Sequence, residues 1–270
     1  VSIVSLERDF DALLWAIGAQ QGRGLPVPGW SDTPNCVSGV RFLEAFNGGK
    51  LQVTASKVIC VGGGDTSVDV VSVARRLGKI ENIREKDRAE RVIGGYAAHD
   101  SAMAAVREGA EVTLTALFGR EEMTATETEV DDALTEGVRV FNGVMPIGLV
   151  RNGDGRAVGL QLARCNIDEK GIPIPQEGTE FEVEADLIVS AIGQGGDLTG
   201  LEELGNDKHL IEADAFYRVP GRDGHFVAGD IIRPHLLTTA IGQASVAAQS
   251  IDEFFANEIR PRRPRVDVHH

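Results

Sequence analysis

The chain has 270 residues, enough for one or two domains, and its 42% hydrophobic and 25% charged residues exclude a disordered polypeptide. A net charge of −14 excludes a nucleic-acid or anionic-membrane partner, because such binding rests on Lys and Arg neutralising phosphates. No apolar run approaches the ~20 residues of a membrane span, and residues 1–9 lack the basic-then-apolar pattern of a secretory signal.

Gly is abundant (32) and aromatic residues are few (5%), a balance that favours an α/β fold with tight strand–helix turns. Asp11–Ile17 reads as a buried strand, and residues 22–29, with Pro26 and Pro28, as a linker. Helical spacing runs from Ser38 to Phe46 and stops at Asn47-Gly48-Gly49. The apolar run Lys57–Val61 has strand length, Thr66–Leu77 reads as a helix, and Gly78 is its end signal. The charged stretch 79–95 reads as a surface excursion, followed by a helix over 97–107. Strands are expected at 112–118 and 138–141, with the acidic helix 127–135 between them presenting Glu127, Glu129, Asp131 and Asp132 to solvent. From Ile147 the pattern changes to closely spaced strands, with Asn152-Gly153-Asp154-Gly155 as a hairpin turn. Further strands are expected at 181–184, 187–191 and 226–228. A closing helix over 239–255 carries an apolar Ile251/Phe254/Phe255 cluster.

Cys36, Cys60 and Cys165 are far apart, with no CxxC pair, zinc spacing or disulfide framework, and read as buried or incidental thiols of a reducing cytoplasm. No metal site is expected. The terminal His269 and His270 read as a tag remnant or as a cut through a longer natural segment.

Two motifs carry chemistry. Strand 57–61 runs into Gly62-Gly63-Gly64-Asp65-Thr66-Ser67, which fits G-x-G-x-x-[GA] with Ser in the last small position. Gly62 allows the tight turn, Gly64 lets backbone approach a pyrophosphate, and Ser67 lets the helix pack close to the strand. The helix start then offers free N–H groups and a positive dipole, with Asp65 and Thr66 placed to cap it. The second strand ends at Leu117-Phe118-Gly119-Arg120-Glu121-Glu122, where Arg120 favours a 2′-phosphate and Glu121 and Glu122 a ribose hydroxyl, so NAD and NADP both stay open. The second motif is Phe226-Val227-Ala228-Gly229-Asp230 followed by Thr238-Thr239-Ala240-Ile241. A carboxylate at a strand end can accept hydrogen bonds from a sugar or ribityl hydroxyl, and the helix start can face an electron-rich ring edge. A weak internal repeat lays Asp11–Gly18 over Asp186–Gly193, each a strand that ends in a Gly turn and lets the chain leave a domain.

The segments DALLWAIGAQQGRGLPVPG, VICVGGGDTSVDVV, VTLTALFGREEM, DLIVSAIG and HFVAGDIIRPHLLTTAIGQASVAAQSI resemble the glutamate synthase small (beta) subunit and its relatives. These FAD/NAD(P)-dependent oxidoreductases lie within the pyridine nucleotide-disulfide oxidoreductase superfamily, and they include the flavin/nicotinamide portion of dihydropyrimidine dehydrogenase. The resemblance implies a Rossmann-like nicotinamide-nucleotide domain over 25–193 and an incomplete FAD-type domain made of 1–24 and 194–270. It implies NAD(P)H and FAD as cofactors, and an iron–sulfur protein or larger oxidoreductase subunit as partner. By position, Gly62, Gly63, Gly64, Asp65, Thr66, Ser67 and Arg120 match the nicotinamide-nucleotide site, with Ile192 and Gly193 at the exit strand. Gly229 and Asp230 match the FAD ribityl and phosphate motif, and Thr238, Thr239, Ala240 and Ile241 match the helix start beside the flavin. No catalytic side chain is named, because hydride transfer between two bound cofactors needs alignment rather than a protein acid or base.

Three departures qualify the match. The family's FAD glycine loop and cluster cysteines are absent from these residues, so the chain reads as a piece of a longer protein with weak or no FAD binding by itself. Gly119 stands where the family often has the first of two Arg, and residues 79–110 read as an insertion resembling members linked to anaerobic or sulfur metabolism. Two other readings are weighed against this one: a thioredoxin reductase-like disulfide reductase, which would need a CxxC pair, and a non-catalytic NAD(H)-binding or subunit-docking domain.

Overall fold

The computed structural model describes residues 2–79, 88–94 and 106–258. In chain order, α1 (Ile3–Asp9) and β1 (Leu13–Trp15) precede β2 (Gln21–Gly22), β3 (Cys36–Ser38) and α2 (Gly39–Asn47). Then come β4 (Val53–Thr54), β5 (Lys57–Val61), α3 (Asp65–Arg76), β6 (Gly78–Lys79), α4 (Ala89–Ile93), β7 (Val106–Gly109) and β8 (Glu111–Ala116). Next follow α5 (Glu127–Thr135), β9 (Arg139–Asn142), β10 (Val144–Arg151), β11 (Ala157–Ile167), β12 (Pro173–Pro175), β13 (Phe181–Glu184), β14 (Leu187–Ser190) and β15 (Gln194–Gly195). The last elements are β16 (His225–Val227) and α6 (Leu237–Ala256). The chain divides into two compact units, residues 22–194 and residues 1–21 with 195–270.

The unit of 22–194 is built on a parallel five-stranded sheet in the order β3-β14-β5-β8-β9. Its central strands are apolar on both faces, as a sheet covered on two sides requires. The alternation is strict: Val58 and Cys60 of β5 and Leu187 and Val189 of β14 enter a cluster with Phe42, Val70, Val71 and Ala74 of the helices. Ile59, Val61 and Ile188 enter a second cluster with Leu160 and Leu162 of the antiparallel β11. Each fully buried aliphatic side chain contributes about 1.5–3 kcal/mol. The antiparallel layer has β11 between β10 and β13, with β12 on its far end. Asn35, fully buried, joins the layers: its Nδ2 donates to the carbonyls of Ala157 and Asp186 (both 2.8 Å), and its Oδ1 accepts from Ala157 N–H (2.9 Å).

Several expectations need correction in this unit. Leu25 and Val27 of the expected linker are buried in the second cluster. Gly78 does not cap α3; Leu77 takes the extended C-cap conformation and Gly78 opens β6. Within the expected surface excursion, Ala89–Ile93 form α4, whose Ala89 and Ile93 are buried beside Glu90, itself paired with Arg156. The rest of that excursion, and most of the expected helix 97–107, lie outside the described residues; its last positions, 106 and 107, are strand β7. The hairpin begins at Val144, three residues before its expected start, and Pro173–Pro175 adds a strand that the pattern did not suggest.

The other unit pairs β1 and β16 in parallel, as a two-stranded sheet over Ile3, Trp15, Leu198, Leu204, Ile211, Val219, Val227 and Ile231. The expected buried strand at 11–17 is shorter and more exposed: only Leu13–Trp15 is strand, and within it only Trp15 is buried. Trp15 Nε1–H donates to Nδ1 of buried His225 (3.2 Å), whose Nε2 lies 3.1 Å from a Glu7 carboxylate oxygen. Because an indole only donates, this bond assigns the neutral His225 proton to Nε2. α6 spans Leu237–Ala256, starting before the expected helix, and buries Ala247, Ser250 and Glu253 rather than its terminal aromatics; Phe255 is 60% exposed.

One hairpin device occurs four times. Asn152, Asp168, Asn206 and Asp214 each accept through Oδ1 the N–H groups two and four residues on. The residue three positions on is left-handed each time: Gly155 and Gly171 in one unit, His209 and Tyr217 in the other.

Candidate functional site

In an open α/β sheet, ligands are held outside the carboxyl ends of the strands, where the strand order reverses. That point here is between β5 and β14, and the Gly62–Ser67 loop leaves β5 beside it. Gly62 N–H donates to Thr115 O (2.9 Å), and Ala191 N–H donates to Val61 O (2.8 Å). A Cβ at Gly62 would lie 2.4 Å from the Ala191 carbonyl oxygen, so no other residue fits without displacing backbone. At Gly64 a Cβ would lie 3.0 Å from Thr124 Oγ1.

The loop delivers the chain into α3 with Gly64 as N-cap and no side-chain cap bond. Asp65 and Thr66 are therefore the first helical residues and not its caps, because the chain turns helical one residue earlier than the motif suggests. Ser67, fully buried, donates its hydroxyl to Gly64 O (2.5 Å) and satisfies the small-residue requirement from inside the turn. Among the described residues, the N–H groups of Gly63, Gly64, Asp65 and Thr66 have no protein acceptor. With the helix dipole behind them, these four donors suit a pyrophosphate. The N-terminus of α2 opens at the same sheet end: a Cβ at Gly39 would lie 3.2 Å from Thr66 Cγ2 and 3.4 Å from Ala191 Cβ. Ile192 follows, 37% exposed, and Gly193, at φ +117°, accepts Arg23 N–H at its carbonyl (2.9 Å).

The segment after β8 forms one side of the loop. Ala125 N–H (3.1 Å) and the Thr124 hydroxyl (3.4 Å) both donate to Gly63 O. Arg120 opens a 3-10 turn, Arg120–Glu122, in which a Glu122 oxygen accepts Gly119 N–H (3.3 Å). The Arg120 guanidinium is ion-paired with Asp131 of α5. Sequence reasoning missed Thr124 and Asp131. Neither belongs to the glycine signature, and only the packing of 119–126 and α5 onto the loop brings them in. Asp69, one turn into α3, has its carboxyl raised above the ordinary value by burial, then by Glu129 and Asp65.

The second motif lies in the other unit. Ala228 N–H donates to Trp15 O (3.1 Å), and Gly229, at φ +86°, turns the chain out of β16. Gly229 N–H donates to Gln243 Oε1 (2.7 Å), and among the described residues Asp230 Oδ1 accepts only a long bond from His235 N–H (3.4 Å). The half-buried Asp230 carboxylate therefore keeps acceptor capacity for a hydroxyl. His235 Nδ1 accepts Leu236 N–H (2.8 Å) and lies 2.9 Å from Thr239 Oγ1, which orders the entry to α6. Thr238 and Ile241 are exposed, Thr239 and Ala240 half-buried, and Leu237 and Thr238 N–H have no acceptor among the described residues. Gln243 and His235 are further residues that the motif reading passed over.

All three cysteines are free, and burial pushes Cys36 up to about 12 and Cys60 higher still. Among the described residues no group of His, Cys, Asp and Glu is placed to hold a metal, and no helix is long and apolar enough to cross a membrane.

Known proteins resemble this chain in sequence and in fold. The NADP(+)-dependent formate dehydrogenase subunit beta of Moorella thermoacetica is 31% identical over 94% of this chain and 33% of its own length. The NADPH-Fe(3+) oxidoreductase subunit beta of Geobacter sulfurreducens is 31% identical over 94% and 38%. The glutamate synthase (NADPH) small chain of Azospirillum brasilense is 28% identical over 94% and 50%. The chain thus spans a third to a half of these curated relatives. In fold it is similar to Mycobacterium tuberculosis FprA in complex with NADPH (TM-score 0.68, 18% identity, 95% of this chain and 66% of that one). It is also similar to Lactococcus lactis thioredoxin reductase (TM-score 0.59, 16% identity, 91% and 66%). The pyridine nucleotide-disulphide oxidoreductase profile matches residues 5–249, and the chain belongs to that family.

Proposed function

We propose that the chain is the nicotinamide-nucleotide domain, with part of the flavin site, of a flavoprotein that passes electrons from NAD(P)H through FAD to an iron–sulfur partner subunit. The observation that carries this reading is the loop at the β5/β14 switch point, with four N–H groups open at the head of α3. Relatives whose names carry NADP(+) or NADPH and mark them as subunits or chains support it. When bound, the nicotinamide supplies a hydride and the flavin divides the electron pair for a one-electron acceptor. The residues of this chain bind and orient. Gly62 and Gly64 admit the pyrophosphate, Gly63, Asp65 and Thr66 supply N–H donors with Gly64, and Ser67 holds the turn. Asp230 accepts from a ribityl hydroxyl, Gly229 keeps the turn open, and the start of α6 at Thr238–Ile241 offers its N–H groups to the flavin. Arg120 meets the ribose end of the nucleotide, and Ile192 and Gly193 border the site.

Family membership does not imply disulfide reduction, because the fold serves many reactions and the sequence has no CxxC pair. The 270-residue chain contains one strand–glycine-loop–helix signature, and it stands on the nicotinamide side. For this chain by itself we therefore propose nucleotide binding with weak or no FAD binding; tight, stoichiometric FAD in the purified chain would contradict that. The activity is tested by anaerobic titration of the protein from its natural source with NADH and NADPH. Bleaching of the flavin absorbance by at least one is expected, and bleaching by neither overturns the reading.

A further inference from the structure

We propose that Asp131 is a selectivity-determining residue of the nucleotide site: its carboxylate competes with a ribose 2′-phosphate for the Arg120 guanidinium and so weakens the preference for NADPH over NADH. The inference rests on the nucleotide-binding reading above.

Arg120 is the only cation in the segment 117–126 that follows β8, and in this fold the end of that strand meets the 2′ substituent of the ribose. Glu122 is engaged at Gly119 N–H and leaves the guanidinium to another acid. That acid is Asp131, brought in by α5, whose start is fixed by the Thr126–Glu129 capping box. The pair is exposed, at 42% for Arg120 and 61% for Asp131. A pair this exposed is weak, so it yields to a phosphate and does not block it. A 2′-phosphate is the stronger, bidentate acceptor for a guanidinium, but it must first displace Asp131. A 2′-hydroxyl has no such competitor to displace. Asp131 therefore lowers NADPH affinity selectively, and its removal releases Arg120 to the phosphate.

The test is a double-mutant cycle on the 270-residue chain, with NADPH and NADH affinities measured calorimetrically and thermal melts run on every variant. Asp131→Asn is expected to tighten NADPH about threefold and leave NADH within about twofold. Arg120→Gln is expected to weaken NADPH about tenfold and NADH by a clearly smaller factor. In the Arg120→Gln background, Asp131→Asn should change neither affinity. An equal effect on both nucleotides, an unchanged ratio, or an effect that persists without Arg120 overturns the proposal while leaving nucleotide binding in place. Binding of neither nucleotide by the unaltered chain overturns the functional reading and this inference together.

Discussion

The two units carry the same local device, a parallel strand ending in a Gly turn, in different surroundings. In residues 22–194, β14 lies between β3 and β5 of a five-stranded sheet, and both faces are covered. In the other unit, β1 has only β16 beside it among the described residues. The helix that follows, α6, leaves Leu237 77%, Ile241 61% and Phe255 60% exposed. Parallel strands are stable when both faces are covered. One unit thus presents its glycine loop on a sheet covered on both faces, whereas the other carries its Gly229-Asp230 motif beside a helix with exposed apolar side chains.

The sharpest way to break this contrast is to separate the units. Residues 22–194 alone are expected to melt in one cooperative transition and to bind nicotinamide nucleotide as the whole chain does, whereas residues 195–258 alone should give no cooperative melt. A cooperative 195–258 segment, or a 22–194 segment that does not fold, would remove the distinction.

A smaller effect is expected inside residues 22–194. Glu90 is buried and paired with Arg156, so Glu90→Ala leaves a guanidinium without its anion and should cost about 3 kcal/mol in denaturant unfolding. Methionine at both positions should recover much of that loss, because a buried ion pair stabilises little beyond an apolar pair of its size.

The left-handed position of each hairpin turn is worth about 1 kcal/mol. Gly155→Ala and Gly171→Ala force an L side chain into the left-handed region and should destabilise by that amount. Tyr217→Gly relieves the same strain in the other unit and should not destabilise. Equal losses at all three positions would show that the turns do not differ as described.

These turns also show what was legible before the structure. Asn152-Gly-Asp-Gly announces its turn because Gly155 fills the left-handed position. Asn206 and Asp214 build the same turn with His209 and Tyr217 there, and residue type gives no signal. β5 was readable because all but its first residue are buried, and α5 because Thr126 and Glu129 cap it reciprocally. α4 was not, since burial of the charged Glu90 depends on Arg156, 66 positions away in sequence. The glycine loop could be read from its local pattern. Thr124, Asp131, Gln243 and His235 enter the sites through tertiary packing or through local bonds that no motif encodes.

The smallest effect is a pH dependence. The Asp69 carboxyl is raised above its ordinary value by burial, then by Glu129 and Asp65. The folded state therefore carries an unfavourable charge that is fully present above the raised value and absent once pH falls below the ordinary one. Asp69→Asn should raise the melting temperature slightly at pH 7 and leave it unchanged near pH 3. A decrease at pH 7 would reverse the assigned sign.

The loop at the β5/β14 switch point is proposed to be a nucleotide cradle. Calorimetric titration of NADPH and NADH into the chain and its Gly62→Val variant tests it most directly, with circular dichroism confirming the fold of both. One saturable site is expected in the unaltered chain. In the variant, the side chain placed against the Ala191 carbonyl should weaken binding at least about tenfold. Undiminished binding in a folded Gly62→Val chain, or no binding of either nucleotide by the unaltered chain, would contradict the account.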